Sequence, residues 1–302
     1  MKKIVLYIYD DLTFDYSKRK LEQFEVIQKP LWRNDLPLIA VKILRRTGQY
    51  TVSKVLNTST DIGKYDLAII PEYQLTPDAL NYILRKPIAP KQVILFRNKV
   101  NKTNYYILEN RDHAGLIICT YNLKDAHKYK MLYQPQCWNK DFCTGTQERV
   151  VTDLYFVGTA KSRYQDIILI KNEAEHQHLV TDFTIVSNRG QPMTTRNPIP
   201  YTMCLQRMKQ SRAILDIVGT DNEGLTYRPL EALFLQKKLV TNYLGIQHYD
   251  FYAPNRKNIF LIGVDHLNNL SEFIQTPFVK TEFSMDKYDI VAWMDGIIQR
   301  VL

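Results

Sequence analysis

The 302-residue sequence predicts an α/β fold divided between two domains, and three observations lead there. Short apolar runs alternate along the chain with amphipathic segments, the pattern of strands layered against helices. That alternation restarts after a polar stretch near the middle, and the chain is long enough to build two cores. Hydrophobic residues make up 45% and charged residues 24%, the balance of an ordinary globular enzyme.

The first elements follow in order. Ile4 to Tyr9 form a continuous apolar run, too short for a signal peptide after Met1-Lys2-Lys3, and read as a first buried strand. Asp10 to Lys20 is polar and too long for a tight turn. Leu36, Ile39, Ala40, Ile43 and Leu44 recur at helical spacing, with Gly48 closing the helix. Leu67 to Ile70 is a second strand, ending at Pro71. Thr76-Pro77-Asp78 opens a helix: a hydroxyl for the cap, a proline for the first turn, and a carboxylate at the positive end of the dipole. Val93 to Phe96 and Leu116 to Cys119 continue the strands.

Between about Asn122 and Arg149 the periodicity weakens and Pro135, Gly145 and polar residues collect. The boundary is expected there, with residues 1–150 as the first domain and 151–285 as the second. The second half opens with the strand Leu154 to Val157, a turn at Gly158, and a helix carrying Lys161, Arg163 and Ile167-Ile168. Phe183 to Val186 follows as a strand, then a polar loop from Asn188 to Asn197 and a helix over Tyr201 to Lys209. Ile214 to Val218, Lys238 to Asn242 and Ile259 to Ile262 complete a second sheet. Residues 286–302 read as a closing helix with Ile290, Trp293, Ile297 and Val301 on one side.

Several function classes fall away. The four cysteines, Cys119, Cys137, Cys143 and Cys204, have neither CxxC nor metal-ligand spacing, and no metal site is expected. His176 and His178 diverge on a helix and read as surface residues. Walker A, Gly-x-Ser-x-Gly and Gly-x-Gly-x-x-Gly elements are missing. No apolar run approaches the roughly 20 residues that span a bilayer, so a cytoplasmic protein is expected, with the inner face of a membrane as a resting place. The net charge of +9 favours anionic partners, but no nucleic-acid signature accompanies it, and none is expected as partner.

The chemistry concentrates in Ile214 to Asn242, a strand, a Gly-containing loop, a helix and another strand. The loop Gly219-Thr220-Asp221-Asn222-Glu223-Gly224-Leu225-Thr226 leads into Tyr227-Arg228-Pro229-Leu230-Glu231. Backbone N–H groups at such a helix start, outside a strand's carboxyl end, suit a diphosphate. Arg228 in the first turn would add a charge-assisted contact, and Glu231 on the same face could accept two ribose hydroxyls. A plain helix-surface ion pair is the alternative for these two. Asp10 and Asp11, at the end of the first strand, are candidates for the general base that takes an acceptor proton, with a solvated turn as the alternative.

Glu223 and Glu231, seven residues apart, resemble the Glu-x7-Glu element of GT-B glycosyltransferases. The run ILDIVGTDNEGLTYRPLEALFLQKKLVTN is similar to bacterial capsule and lipopolysaccharide-biosynthesis glycosyltransferases of the glycosyl transferases group 1 type, including the CgeB-like group. LYFVGTAKSR (Leu154 to Arg163) and YDFYAPNRKNIFLIG (Tyr249 to Gly263) resemble their flanking segments. The resemblance implies a GT-B fold: two Rossmann-like domains facing a central cleft, the first on the acceptor side and the second for the donor, with the C-terminal helix crossing back. It implies that Gly224, Leu225 and Thr226 cradle phosphate, that Arg228 approaches the diphosphate, and that Glu231 holds the ribose. Gly158 would lie at the first turn of the donor domain, with Lys161 or Arg163 facing the pyrophosphate, while Glu223 would approach the sugar in retaining enzymes and varies in the CgeB-like set. The expected activity is metal-independent, hexosyl-type transfer from a nucleoside diphosphate sugar to a glycan or lipid-linked oligosaccharide acceptor, with no cofactor. The alternatives are a nucleotide-sugar epimerase of the same architecture, or a non-catalytic protein that binds nucleotide-sugar or nucleic acid.

Overall fold

The computed structural model describes residues 1–8, 11–17, 19, 21–33, 51–58, 63–144, 148–219 and 224–302. Asp10, Glu223 and the helix expected over Leu36 to Gly48 lie outside the described residues. The chain divides into two units, one of residues 1–135 with 290–302, the other of residues 136–289.

In the first unit, six described strands form one parallel sheet. They are β1 (Lys2–Leu6), β2 (Phe24–Gln28), β3 (Leu67–Pro71), β4 (Lys91–Phe96), β5 (Leu116–Thr120) and β6 (Leu132–Tyr133), in the order β2-β1-β3-β4-β5-β6. The central strands β3 and β4 are buried along nearly their whole length, as expected where helices cover both faces of a parallel sheet. β2 was not legible as a strand, because its five residues are mostly half-exposed at the sheet edge and form no apolar run.

Helix α1 (Val52–Val55) is a single turn, whereas α2 (Pro77–Arg85) starts as its sequence dictates. The Thr76 hydroxyl accepts the Ala79 N–H at 3.2 Å, Pro77 occupies the first turn, and Asp78 sits at the positive end of the helix dipole. Leu80, Ile83 and Leu84 of α2 pack into the core with Val5, Ala68, Ile70 and Ile94. The short helix α3 (Leu123–Tyr129) is capped by Asn122, whose side chain accepts the Asp125 N–H at 3.0 Å.

The second unit repeats the plan. Its strands are β7 (Thr152–Thr159), β8 (Thr181–Val186), β9 (Thr194–Thr195), β10 (Ser211–Asp216), β11 (Lys238–Thr241) and β12 (Ile259–Leu261). Their order is β12-β11-β10-β7-β8-β9, every described pairing parallel. Helices α4 (Tyr164–His176), α5 (Tyr201–Lys209) and α6 (Tyr227–Phe234) lie between them, and α7 (Leu270–Gln275) follows β12. The chain runs from β7 outward to β8 and β9, then returns to place β10 on the other side of β7. The carboxyl ends of β7 and β10 therefore flank a topological switch point, where open α/β sheets bind ligands.

The unit boundary falls after Pro135 rather than near residue 150, for a packing reason. Trp138 is fully buried in the second core, its ring 5.3 Å from Phe142 and 5.4 Å from Phe234. Its backbone N–H donates to Tyr288 at 2.8 Å, and Lys140 N donates to the Asp289 carboxylate at 3.1 Å. The final helix, α8 (Ile290–Val301), belongs to the first unit. There Trp293 Nε1 donates to the Pro135 carbonyl at 2.9 Å, Gln134 donates to the Trp293 carbonyl, and the Trp293 ring meets Phe14 edge-on at 5.3 Å. None of the helices among the described residues is long and apolar enough to cross a membrane.

Candidate functional site

At the β7/β10 switch point two arginines brace the backbone. Arg163 follows the short turn after β7, where Lys161 takes a left-handed conformation (φ 45°) and Ala160 is buried. Its guanidinium donates to the Ile217 carbonyl beyond β10 and, at 2.8 Å, to the Thr159 carbonyl at the end of β7. Burial lowers the pKa of Arg163, and the nearby Asp216 carboxylate opposes that shift. Gly158 leaves room for this brace: a Cβ there would lie 3.1 Å from the Phe156 ring and 3.3 Å from Arg163 Nη2. Lys161 is exposed on the same turn.

Arg228 comes from the first turn of α6. Its Nη2 donates to the Val157 carbonyl on β7 at 2.5 Å, and its Nη1 meets Glu231 Oε2 at 2.6 Å. This is no surface pair, because the Glu231 side chain is only 1% exposed against 21% for Arg228. Burial works against the Arg228 charge, yet Glu231, followed by Tyr155 and Asp216, holds its pKa above the ordinary arginine value. Glu231 Oε1 accepts from the Tyr201 hydroxyl at 2.9 Å. Both carboxylate oxygens thus have protein partners at a buried position.

The loop between β10 and α6 is pinned at both ends. Asn242 accepts the Val218 N–H at 2.7 Å and donates to the Val218 carbonyl at 3.1 Å. Leu225 is buried, and its N–H donates to the Tyr249 hydroxyl at 3.2 Å. The Thr226 hydroxyl donates to Asp216 Oδ1 at 3.0 Å and gives α6 no side-chain cap. Gly224 lies at the described edge of the loop.

Sequence reasoning missed Asp216, Tyr201 and Asn242. Asp216 is buried at the end of β10, held by the Thr226 hydroxyl and, on Oδ2, by Thr241 at 3.0 Å, and burial raises its pKa. An aspartate closing the apolar run Ala213-Ile214-Leu215 was the available signal. Tyr201 and Asn242 carried none, since their roles arise from contacts 30 and 24 residues away.

The other expected site residue, Asp11, follows β1 by five residues in the first unit. It caps the short turn Leu12–Phe14 by accepting the Thr13 N–H at 3.0 Å, and it pairs with Arg97 Nη1 at 2.6 Å. Arg97 also stacks over Phe14, 5.0 Å from the ring centre. Beside it Glu72 is buried and accepts from Arg97 N at 2.8 Å, Asn98 N at 3.1 Å and Asn98 Nδ2 at 2.6 Å; burial raises its pKa against these bonds.

The sequence matches no protein-family profile and no curated protein. Among solved structures, the chain is similar to an alpha-glucosyltransferase in complex with UDP and a 13-mer DNA containing a central A:G mismatch. The TM-score is 0.53 at 13% identity, with 98% of this chain and 95% of the other covered. The fold is GT-B. At this identity the similarity is one of architecture, and it spans both Rossmann-like units of the chain.

Proposed function

We propose that the protein is a glycosyltransferase whose nucleoside diphosphate sugar binds at the β7/β10 switch point of the second unit. The observation that carries this is the convergence of Arg163 and Arg228 on the ends of β7 and β10, next to a helix start that Thr226 does not cap. The GT-B neighbour holding UDP supports it. In the transfer, the bond from the sugar's anomeric carbon to the diphosphate oxygen breaks and one to an acceptor hydroxyl oxygen forms. The acceptor proton passes to a base, and the electron pair leaves with the diphosphate. Fixed guanidinium groups and helix-start N–H groups would stabilise that charge without a metal. Lys161 and the backbone at Gly224 and Thr226 would complete the cradle, and Asp11, Asp10 and Glu223 remain the candidates for acceptor and sugar chemistry.

On the acceptor side, the sequence resemblance supports a glycan or lipid-linked oligosaccharide of a cell-surface polysaccharide, taken up at the inner face of a membrane. Charge segregation supports an anionic acceptor or surface. Of 40 lysines and arginines and 31 acidic residues, the first unit holds 23 and 14, leaving 17 and 17 in the second. The net +9 thus belongs to the first unit alone. A nucleic-acid acceptor is the second reading, favoured by the same asymmetry and by the DNA bound to the GT-B neighbour.

The test is a thermal-shift panel of UDP, GDP, CMP, dTDP and ADP on wild type and Arg228→Met, followed by product analysis with glycan and duplex DNA acceptors. A ligand at about 100 times its Kd adds roughly 2.7 kcal/mol of stability. One nucleotide stabilising the wild type but not the variant is the expected result. Silence across the panel from folded protein would overturn the donor site.

A further inference from the structure

The geometry points to Tyr201 as a positioning residue for Arg228, acting through Glu231; this deepens the donor-site reading and rests on it. Trp138 Nε1 donates to the Tyr201 hydroxyl at 2.7 Å, and that hydroxyl donates to Glu231 Oε1 at 2.9 Å. The direction of the chain is forced. An indole N–H can only donate, the hydroxyl has a single proton, and an ionised carboxylate can only accept. The phenolic proton therefore points at Glu231. Burial, reinforced by the Glu231 charge, raises the Tyr201 pKa and keeps that proton in place.

The opposite oxygen of Glu231 holds Arg228 Nη1, while Arg228 Nη2 is tied to Val157 on β7. A planar guanidinium fixed at two corners has its plane set, and the plane decides where its other N–H groups aim. Trp138 anchors the far end: it is fully buried between Phe142 and Phe234, and the Tyr201 ring meets Phe142 edge-on at 5.8 Å. Three segments remote in sequence thus converge on the orientation of one charge. Without the Tyr201 hydroxyl, Glu231 Oε1 loses its donor where water does not reach, and the carboxylate is free to turn within its pair with Arg228. What falls is the preorganisation of the guanidinium toward a diphosphate.

Tyr201→Phe removes the hydroxyl and keeps the ring. The Kd of UDP, GDP, dTDP and ADP is measured by calorimetry for wild type, Tyr201→Phe, Arg228→Met and the double variant, with thermal unfolding of all four as control. Tyr201→Phe is expected to weaken the diphosphate that binds wild type about tenfold, and to add nothing once Arg228 is gone. Equal weakening in both backgrounds, or none in either, overturns the proposal while leaving the donor site standing. Failure of every diphosphate to bind wild type removes the donor site and this proposal with it. Should Tyr201→Phe not fold, Trp138→Phe removes the indole donor that orients the hydroxyl. Weakening by this variant that persists without Arg228, or no weakening at all, counts against the proposal in the same way.

Discussion

Arg228 and Glu231 stand one helical turn apart on α6 with Nη1 and Oε2 at 2.6 Å, and Glu231 is closed to solvent. At i, i+3 on an exposed helix such a pair contributes a few tenths of a kcal/mol. Buried, it becomes a pair that neither partner can lose cheaply. Arg228→Met leaves the Glu231 carboxylate uncompensated and is expected to cost about 3–5 kcal/mol. Urea unfolding at pH 7 measures this, and a loss under 1 kcal/mol would mean that solvent reaches the carboxylate.

Asp216 gives a pH signature. Burial raises its pKa above the ordinary 3.8, so between the unfolded and the folded pKa the folded protein retains a proton that the unfolded chain releases. Stability contributed by this group is therefore greatest at low pH and falls as pH rises through the raised pKa. Asp216→Asn keeps the shape and removes the titration. The stability of wild type relative to the variant is expected to decline from pH 4 upward in denaturant titrations. A difference that grows with pH would contradict the burial of Asp216.

Asp11 is both a cap and the partner of Arg97, so its two roles separate by measurement. Asp11→Ala is expected to lower stability by about 1 kcal/mol through the lost cap. Asp11→Asn retains the capping oxygen and should fold nearly as well. If the Asp11 carboxylate takes the acceptor proton, Asp11→Asn loses turnover by roughly 10²-fold or more with nucleotide affinity unchanged. Turnover that follows stability alone would leave Asp11 a structural residue.

Charge segregation predicts a one-sided surface. Lys91→Glu with Lys102→Glu changes two exposed lysines of the first unit, and Lys257→Glu with Lys280→Glu changes two of the second. Sedimentation with phosphatidylglycerol-containing vesicles is expected to weaken for the first pair and to hold for the second. Binding should fade as salt shortens the Debye length from about 30 Å at 0.01 M to about 8 Å at 0.15 M. Equal effects from both pairs would show attraction to net charge without a preferred unit.

What the sequence by itself determined is what depends on neighbours along the chain. Apolar runs such as Leu67 to Ile70 and Ile214 to Val218 announced buried strands, and Thr76-Pro77-Asp78 carried its own helix start. Two α/β cores followed from how often those runs recur, and the helix start at Tyr227 was legible by its place after a strand and a Gly-containing loop. What only the tertiary structure decided depends on contacts across the chain. Trp138 looked like part of a linker until its burial against Phe142 and Phe234 moved the boundary to Pro135. Arg228 and Glu231 had the spacing of a surface pair, and only packing showed a buried one. Tyr201 reaches Glu231 from 30 residues away and Trp138 reaches Tyr201 from 63. Periodicity records which face of an element is apolar, but not which remote polar group will meet it. That partner is selected when the core closes, because an unmatched buried donor or acceptor is costly and most are then paired.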